Sequence, residues 1–454
     1  METAINHIKH YITKQVNIAP LAVFRMAFGF LMLGSVLRFI AKGWVYSMYI
    51  KPKVFFPFYG FEWVKPIDAE AMYAIFIALA IVSLCIALGF FYRLATIIFF
   101  VLFTYVELID KTNYLNHYYF ISIMSFIMMF LPANKAFALD TYFKKNIAVT
   151  HIPNYFVLLV KAQVFVVYFF AGVAKLNYDW LFEAQPLKIW LPANSEMPII
   201  GDLLTQEWVA YFFSWFGCIY DLAIPFFLFI PRFVRPAYFF VIVFHLATSM
   251  LFNIGMFPYI MIALTTIFFR EQFHIKIIDT LKAVFKVKNN SEILLEYKPS
   301  ITYKKAITYV FVLHFAIQLV LPFRYLLYPG ELFWTEQGFR FSWRVMLIEK
   351  AGTAFFYIKD KTTGKEIEVN NREYLTQMQE KMMATQPDML INYAHFLKHE
   401  FELKGMKDVD VVAESYVTLN GSPSQLMVDK TTVLSSLENN YSNKSWILPF
   451  KQNH

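Results

Sequence analysis

The sequence predicts a polytopic α-helical membrane bundle of about nine transmembrane helices, followed by a C-terminal extracytoplasmic α+β domain. Three observations predict it. Of 454 residues, 58% are hydrophobic and 16% charged, against about 25% charged in a soluble domain. The shortage is uneven, because charge is thin from Pro20 to Phe269 and normal after Gly330. Lys and Arg also gather in alternate connections between apolar runs, which is a topology signal.

A spanning helix needs about 20 mostly apolar residues. Runs near 20–42, 71–92, 94–109, 117–132, 155–174, 208–230, 235–253, 256–269 and 307–328 meet or approach that requirement. Pro57, Pro66, Pro132, Pro153, Pro231 and Pro329 mark their ends, where a missing N–H does no harm. Residues 1–19 lack the apolar core and small-residue cleavage site of a signal peptide, so the run from Leu21 is expected to remain as the first helix. With the N-terminus cytoplasmic, the inside connections are His7–Asn17, Arg93, Lys135–Lys145, Arg232–Arg235 and Arg270–Lys305, and they hold most of the loop Lys and Arg. The formal net charge of +8 is thereby spent on topology and does not point to nucleic acid. The membrane domain is expected over 1–330 and the soluble domain over 331–454. In the latter, Phe341–Glu349, Ala354–Asp360 and Lys365–Asn370 read as strands, with a turn at Lys350–Gly352. Arg372–Lys404 reads as helix and Val409–Leu419 as a strand.

Ionisable groups within or beside apolar segments are costly and therefore functional candidates. Lys175 ends the run from 155. A lysine in apolar surroundings can act as a base, or it can snorkel to the headgroups. Asn116 and His117 open the run from 117, either as proton-handling groups or as a helix cap with an interfacial histidine. His245 lies in a strongly apolar stretch with Thr248 and Ser249 on the same helical face and Asn253 beyond. That set suits a polar site, or hydrogen bonds that hold the bundle together. The aromatic-rich stretch Leu332–Arg344 suits an interface belt or the wall of an opening. Arg25 would pair with a carboxylate such as Glu107 or with headgroups. Cys85 and Cys218 fall in different runs without zinc-site spacing, and no metal is expected. Phosphate-loop, dinucleotide-binding, zinc-protease and serine-hydrolase motifs are absent from the sequence.

Several of these segments together resemble the vitamin K-dependent gamma-glutamyl carboxylase family, including its shorter bacterial relatives with an HTTM-like membrane domain. The resemblance rests on FFPFYGFEW at 55–63, LIDKTNYLNH at 108–117, AGVAKLNYDW at 171–180, His245 with IGMF at 254–257, FSW at 341–343, and SYVTLNG at 415–421 with Val428 and Asp429. It implies a multi-pass protein of a bacterial inner membrane that uses reduced vitamin K, O2 and CO2 to carboxylate glutamyl residues of a peptide or protein. It implies Lys175 as the base for the quinol and His117 as a second catalytic group. Asn116, His245 and Asn253 would contact the cofactor, and Trp334, Phe339 and Trp343 the glutamyl substrate. The quinol would arrive through membrane lipid. The chain departs from the animal enzymes at Ala174, Gly338 and Phe339, and it lacks much of their long C-terminal region. Quinol oxygenation without peptide carboxylation, or non-enzymatic quinone binding, are the alternative expectations.

Overall fold

The computed structural model describes residues 2–252, 254–286 and 295–451. Among these, nine apolar helices follow one another: α1 Ala19–Ala41, α2 Ala69–Leu88, α3 Tyr92–Ile109, α4 Asn116–Met128, α5 Tyr155–Ala174, α6 Glu207–Phe229, α7 Val234–Leu251, α8 Phe257–Thr265 and α9 Ile301–Val320. Seven are long and apolar enough to cross a membrane, α9 together with its 3-10 extension to Leu327. The other two are short. The 13 residues of α4 rise about 20 Å, against a hydrocarbon core of about 30 Å. The expected nine spans therefore resolve into seven full-length helices and two short ones. Polar Asn116 and His117 begin α4 and Pro132 lies just beyond it, while Gly255 (φ +70°) turns the chain into α8.

The connections separate into two groups at opposite ends of the bundle. At one end strand β1 (Gln15–Asn17) pairs with β2 (His151–Pro153), Asp140 meets Gly89, and Thr150 meets Leu295. The amphipathic helix Glu271–Val284 lies there too, with Ile278 packed on Ala19, Ala22 and Val23. This end carries the Lys- and Arg-rich loops. Arg25 is buried here and does not reach Glu107. Its guanidinium donates to the carbonyls of Phe137 (2.5 Å) and Ile86 (3.4 Å), while Glu107 accepts from Ser122. Gly89 (φ +64°) is required beside it, since a Cβ there would come within 1.9 Å of Arg25 Nη1.

The C-terminal domain caps the other end. Its sheet has strand order β4-β3-β5-β6, all antiparallel, from β3 (Lys350–Asp360), β4 (Glu366–Glu368), β5 (Val409–Leu419) and β6 (Gln425–Val428). β3 pairs with β5 along its whole length, Lys350 opposite Leu419 through Asp360 opposite Val409. Val409, Val411, Ala413, Val417 and Leu419 are buried, the alternation of a strand with one covered face. Helices α10 (Gln377–Met383) and α11 (Pro387–Leu403) pack in this domain, Tyr393 of α11 edge-on to Phe356 at 4.8 Å. The helix expected over Arg372–Lys404 is thus broken before Pro387, as the residue before a proline avoids helical geometry. The strand expected over Phe341–Glu349 is not a strand, and the turn expected at Lys350–Gly352 lies inside β3.

Packing joins the bundle to the C-terminal sheet. Trp343 belongs to the apolar core of the bundle. Leu187, Leu191 and Leu204, from the long connection between α5 and α6, are buried in the same core as the C-terminal sheet. That connection is tied down by Trp190 donating to Glu349 (2.6 Å) and Asn420 donating to Asp179 (2.8 Å). The domain is therefore seated on the bundle through shared apolar surface, which fixes the geometry of whatever lies between them.

Candidate functional site

Lys175 stands at the C-terminus of α5, at the end of the bundle covered by the C-terminal domain. Helical side chains lean back over the preceding turn, and the ammonium accordingly meets Ala171 O at 3.2 Å. Its main partner is Asp221, in the middle of α6, at 2.7 Å. Both are buried, 6% and 4% exposed, so a charge on either is unaffordable without the other. Trp180 lies 5.4 Å from the ammonium, ring centroid to Nζ. Its indole N–H is held by Ser214 O at 2.8 Å.

A narrow pocket of about 90 Å³ opens beside this pair. Trp180, Phe213, Phe244, Phe252, Phe257 and Met261 form its apolar walls, and Val345 and Met346 close it from the C-terminal side. Its polar groups are few: Lys175, Asp221, Tyr168, His245 and Thr248. Tyr168 Oη and His245 Nε2 pair at 2.8 Å. Gly217 brings no side chain to the floor, where a Cβ would make ordinary van der Waals contact, 3.7 Å from the Trp180 ring and 4.0 Å from Lys175 Cε. Apolar walls with a small set of convergent polar groups are the usual form of a small-molecule site. Among the described residues no group of three or more His, Cys, Asp or Glu could hold a metal ion.

An HTTM domain model matches residues 13–273. A second model, described as the lumenal domain of vitamin K-dependent gamma-carboxylase, matches residues 303–453. The chain belongs to the vitamin K-dependent gamma-glutamyl carboxylase family. No solved structure matches it. Membership in this carboxylase family supports a vitamin K-dependent, carboxylase-like function acting on glutamyl-containing substrates, in a membrane protein whose C-terminal domain is extracytoplasmic.

Of the residues singled out in the sequence, this carboxylase-family fold brings Lys175 and His245 to one pocket. His117 is one ring away. It stacks on Phe257 at 5.7 Å, and Phe257 in turn meets His245 at 6.2 Å. Thr248 lines the pocket, but its hydroxyl donates to the carbonyl of His245 (3.0 Å). Ser249 lies 3.5 Å from Tyr259 Oη instead. Asn253 lies outside the described residues.

Asn116 is occupied elsewhere. It donates to Arg344 O at 2.7 Å and accepts from Tyr114 Oη at 3.1 Å. Tyr114 Oη accepts from the Phe341 N–H at 2.7 Å. These bonds clamp the segment 341–346, where Phe341 (φ 63°), Trp343 (φ 59°) and Met346 (φ 57°) all adopt the left-handed conformation. Such backbone is costly for residues with a Cβ, of order 1 kcal/mol or more each, and persists only where its surroundings dictate it. The clamp holds Val345 and Met346 over the Lys175 pocket.

Trp334 and Trp343 are each 1% exposed. Trp334 donates its indole N–H to Leu448 O (2.8 Å) inside the C-terminal domain. Trp343 packs on Tyr119 at 4.9 Å, and its indole N–H has no partner among the described residues. Phe339 is half-buried against Phe333. Neither tryptophan presents its ring to the outside. Sequence reasoning missed Asp221 altogether. The signal was present, since Asp221 is a carboxylate in the middle of an apolar run, the class of residue that is functional by default in a membrane.

Proposed function

We propose that this chain is an integral membrane enzyme that oxygenates reduced vitamin K to the epoxide and couples this to carboxylation of glutamyl residues with CO2. The observation that carries the reading is a buried Lys175–Asp221 pair inside an aromatic pocket, at the end of the bundle where the extracytoplasmic domain is seated. A flat, apolar naphthoquinone ring suits walls made of Trp180, Phe213, Phe244 and Phe257, above a floor to which Gly217 brings no side chain. Bound reduced vitamin K would supply, through its reaction with O2, a base strong enough to take a glutamyl γ-hydrogen.

The chain's own residues do the rest. Lys175 takes the quinol proton as part of the Lys175–Asp221 pair, which is neutral overall before transfer, so that the positive charge the pair gains is balanced by the quinolate left in the pocket, and Asp221 holds Nζ in place. Tyr168 and His245 fix the opposite wall through their mutual hydrogen bond. His117 supports Phe257, the ring between it and His245. Asn116 acts on the site by clamping the cover segment 341–346. Asn253 would contact the cofactor. Trp343 braces that cover from inside against Tyr119, and Trp334 and Phe339 would meet the glutamyl substrate only where the C-terminal domain opens to admit it. The seated domain keeps water out, which a strong base requires. The Lys- and Arg-rich end is cytoplasmic in this reading, so the site faces the far side of a bacterial inner membrane.

The test is purified protein in lipid with reduced vitamin K, O2, labelled bicarbonate and a Glu-rich peptide, with epoxide and fixed CO2 measured separately. Both products are expected. The burial of Trp334 and Trp343 favours a second reading, quinol oxygenation without peptide carboxylation, which predicts epoxide and no fixed label. Quinol binding with neither product would falsify the enzymatic reading.

A further inference from the structure

Helix α9 is the least buried of the seven long helices, and of Ile301–Val320 only Ile307, Phe311 and Gln318 are buried. Between it and α5, at the Lys- and Arg-rich end, runs a groove of about 510 Å³. On α9 the groove is lined by Lys304, Ile307, Thr308, Phe311, Val312 and Phe315, a stripe at three- and four-residue steps. The stripe begins polar and ends apolar. Its rise from 304 to 315 is about 16 Å, close to half of the roughly 30 Å hydrocarbon core, which is the depth of one lipid leaflet. On α5, Tyr155 and then Leu159 repeat the same order, and Thr13, Gln15, Tyr297 and Lys298 complete the polar end.

Positive charge gathers at that polar end. Lys298 meets Glu296 at 3.3 Å, and Lys304 pairs with no carboxylate among the described residues. Lys135 lies over the Tyr297 ring at 4.7 Å and Lys14 over Tyr11 at 4.8 Å. Two polar atoms of the lining, Tyr155 Oη and Gln15 Oε1, are buried without a hydrogen-bond partner among the described residues. The Gln15 amide N–H is used, donating to Tyr297 O at 3.4 Å. Buried groups left in this state cost free energy unless a ligand completes them. The Tyr155 hydroxyl can donate to a phosphate oxygen, and Gln15 Oε1 can accept from a headgroup hydroxyl.

We propose that this groove binds an anionic glycerophospholipid from the leaflet at the Lys- and Arg-rich end, with an acyl chain against Leu159, Phe311 and Phe315 and the phosphate between Lys298 and Lys304. Basic recesses between membrane helices at headgroup level suit such lipids. A bare apolar tail would fill the inner half and leave the cations and the two polar atoms unmatched. A free phosphate would do the reverse. The lipid joins parts of the chain that are distant in sequence: the segment at Thr13–Gln15, α5 and α9. Helix α5 carries Lys175 at its other end, and α9 runs on toward the C-terminal domain. A lipid held here therefore fastens to each other the helices that lead to the pocket and to its cover.

The experiment is native mass spectrometry of the full-length protein in detergent, offered equal amounts of phosphatidylglycerol and phosphatidylcholine with the same acyl chains. Wild type is expected to retain phosphatidylglycerol with a preference of about tenfold or more, as two lysines beside a phosphate imply. Lys298→Gln combined with Lys304→Gln should bring the preference below about threefold. Arg232→Gln combined with Arg235→Gln, at the same end but outside the groove, should leave it unchanged. Leu159→Trp fills the apolar part and should expel the lipid with both lysines intact, at a melting temperature in phosphatidylcholine near that of wild type. Equal retention of the two lipids by wild type overturns the site, and so does a preference that survives the double lysine substitution. Displacement by millimolar glycerol phosphate overturns it by assigning the cations to a free anion, and displacement by a long-tailed naphthoquinone overturns it by assigning the groove to the quinol tail. Every readout is made without turnover, so this site stands or falls separately from the carboxylase reading.

Discussion

Two buried lysines stand at the same end of this molecule, each 2.7 Å from an aspartate, and they are built for different ends. Lys111 follows α3 and reaches into the C-terminal domain. It donates to Asp388 and, at 2.8 Å, to Asn392, and Asp388 is shared with Arg340. Arg340 also binds Gln386. Beside it Asp110 accepts from Gln379 at 3.0 Å, whose amide also reaches Val54 O at 2.7 Å. Polar groups surround this ammonium, and no space is left at it. Lys175 has one aspartate, one carbonyl and a ring, and it opens onto an apolar pocket. Fully satisfied networks fix geometry, whereas a charge with a single partner and room beside it can exchange a proton with a ligand. The first lysine ties the bundle to α11 on the C-terminal sheet, and the second is the one the proposed function uses as its base.

The largest expected effect separates them at once. Lys175→Met should lower epoxide formation by about 10³-fold or more, within the range for a lost general base. Combined with Asp221→Leu, it should leave the melting temperature near wild type, because a buried pair replaced by apolar residues is often neutral for stability. A double variant that still turns over would end the assignment of Lys175. Asp388→Asn should do the opposite. It leaves Lys111 and Arg340 buried without their anion and is expected to cost about 3–5 kcal/mol, read by thermal or denaturant unfolding. Epoxide formation per folded molecule should remain within about threefold of wild type, and a loss as deep as that of Lys175→Met would erase the distinction.

Asp221→Asn tests whether the anion serves chemistry as well as position. A drop of about 10–100-fold in kcat is expected, with little change in the quinol KM, as for an interaction made chiefly in the transition state. An unchanged kcat would reduce Asp221 to a structural partner. The pH dependence of stability sharpens the comparison from the other side. Burial alone would raise the Asp388 carboxyl, but Arg340 and Lys111 outweigh it and hold it well below the usual carboxylate range. Its contribution is therefore complete above the unfolded value of about 3.9 and is lost as pH falls further toward the folded value. Wild type should lose melting temperature in that acid range more steeply than Asp388→Asn, and parallel curves would contradict the latch. The Lys111 ammonium is brought down to about 8, chiefly by burial, against the pull of Asp388. The smallest effect is expected at His117, which reaches the pocket only through Phe257. His117→Gln should slow epoxide formation by about three- to tenfold, and a loss comparable to that of Lys175→Met would move His117 into direct contact with the quinol.

The sequence by itself determined the membrane class, the apolar runs and the strand Val409–Leu419, and it singled out Lys175 and His245, which line one pocket. These follow from local composition, because a bilayer demands long apolar helices and penalises every ionisable group within them. Apparent full spans at 117–132 and 256–269 proved short, since apolarity is read along the chain whereas helix length is set by where polar and turn residues interrupt it. The segment 341–349 alternates like a strand, yet bonds from Asn116 and Tyr114, more than 220 positions away in the chain, hold it in a left-handed, irregular course. Only the tertiary structure decided that Asp221 is the partner of Lys175 and that Asn116 donates to the Arg344 carbonyl of the cover segment. Each is a property of which helices touch and at what height, and pairwise contact between distant residues leaves no mark in the periodicity of either.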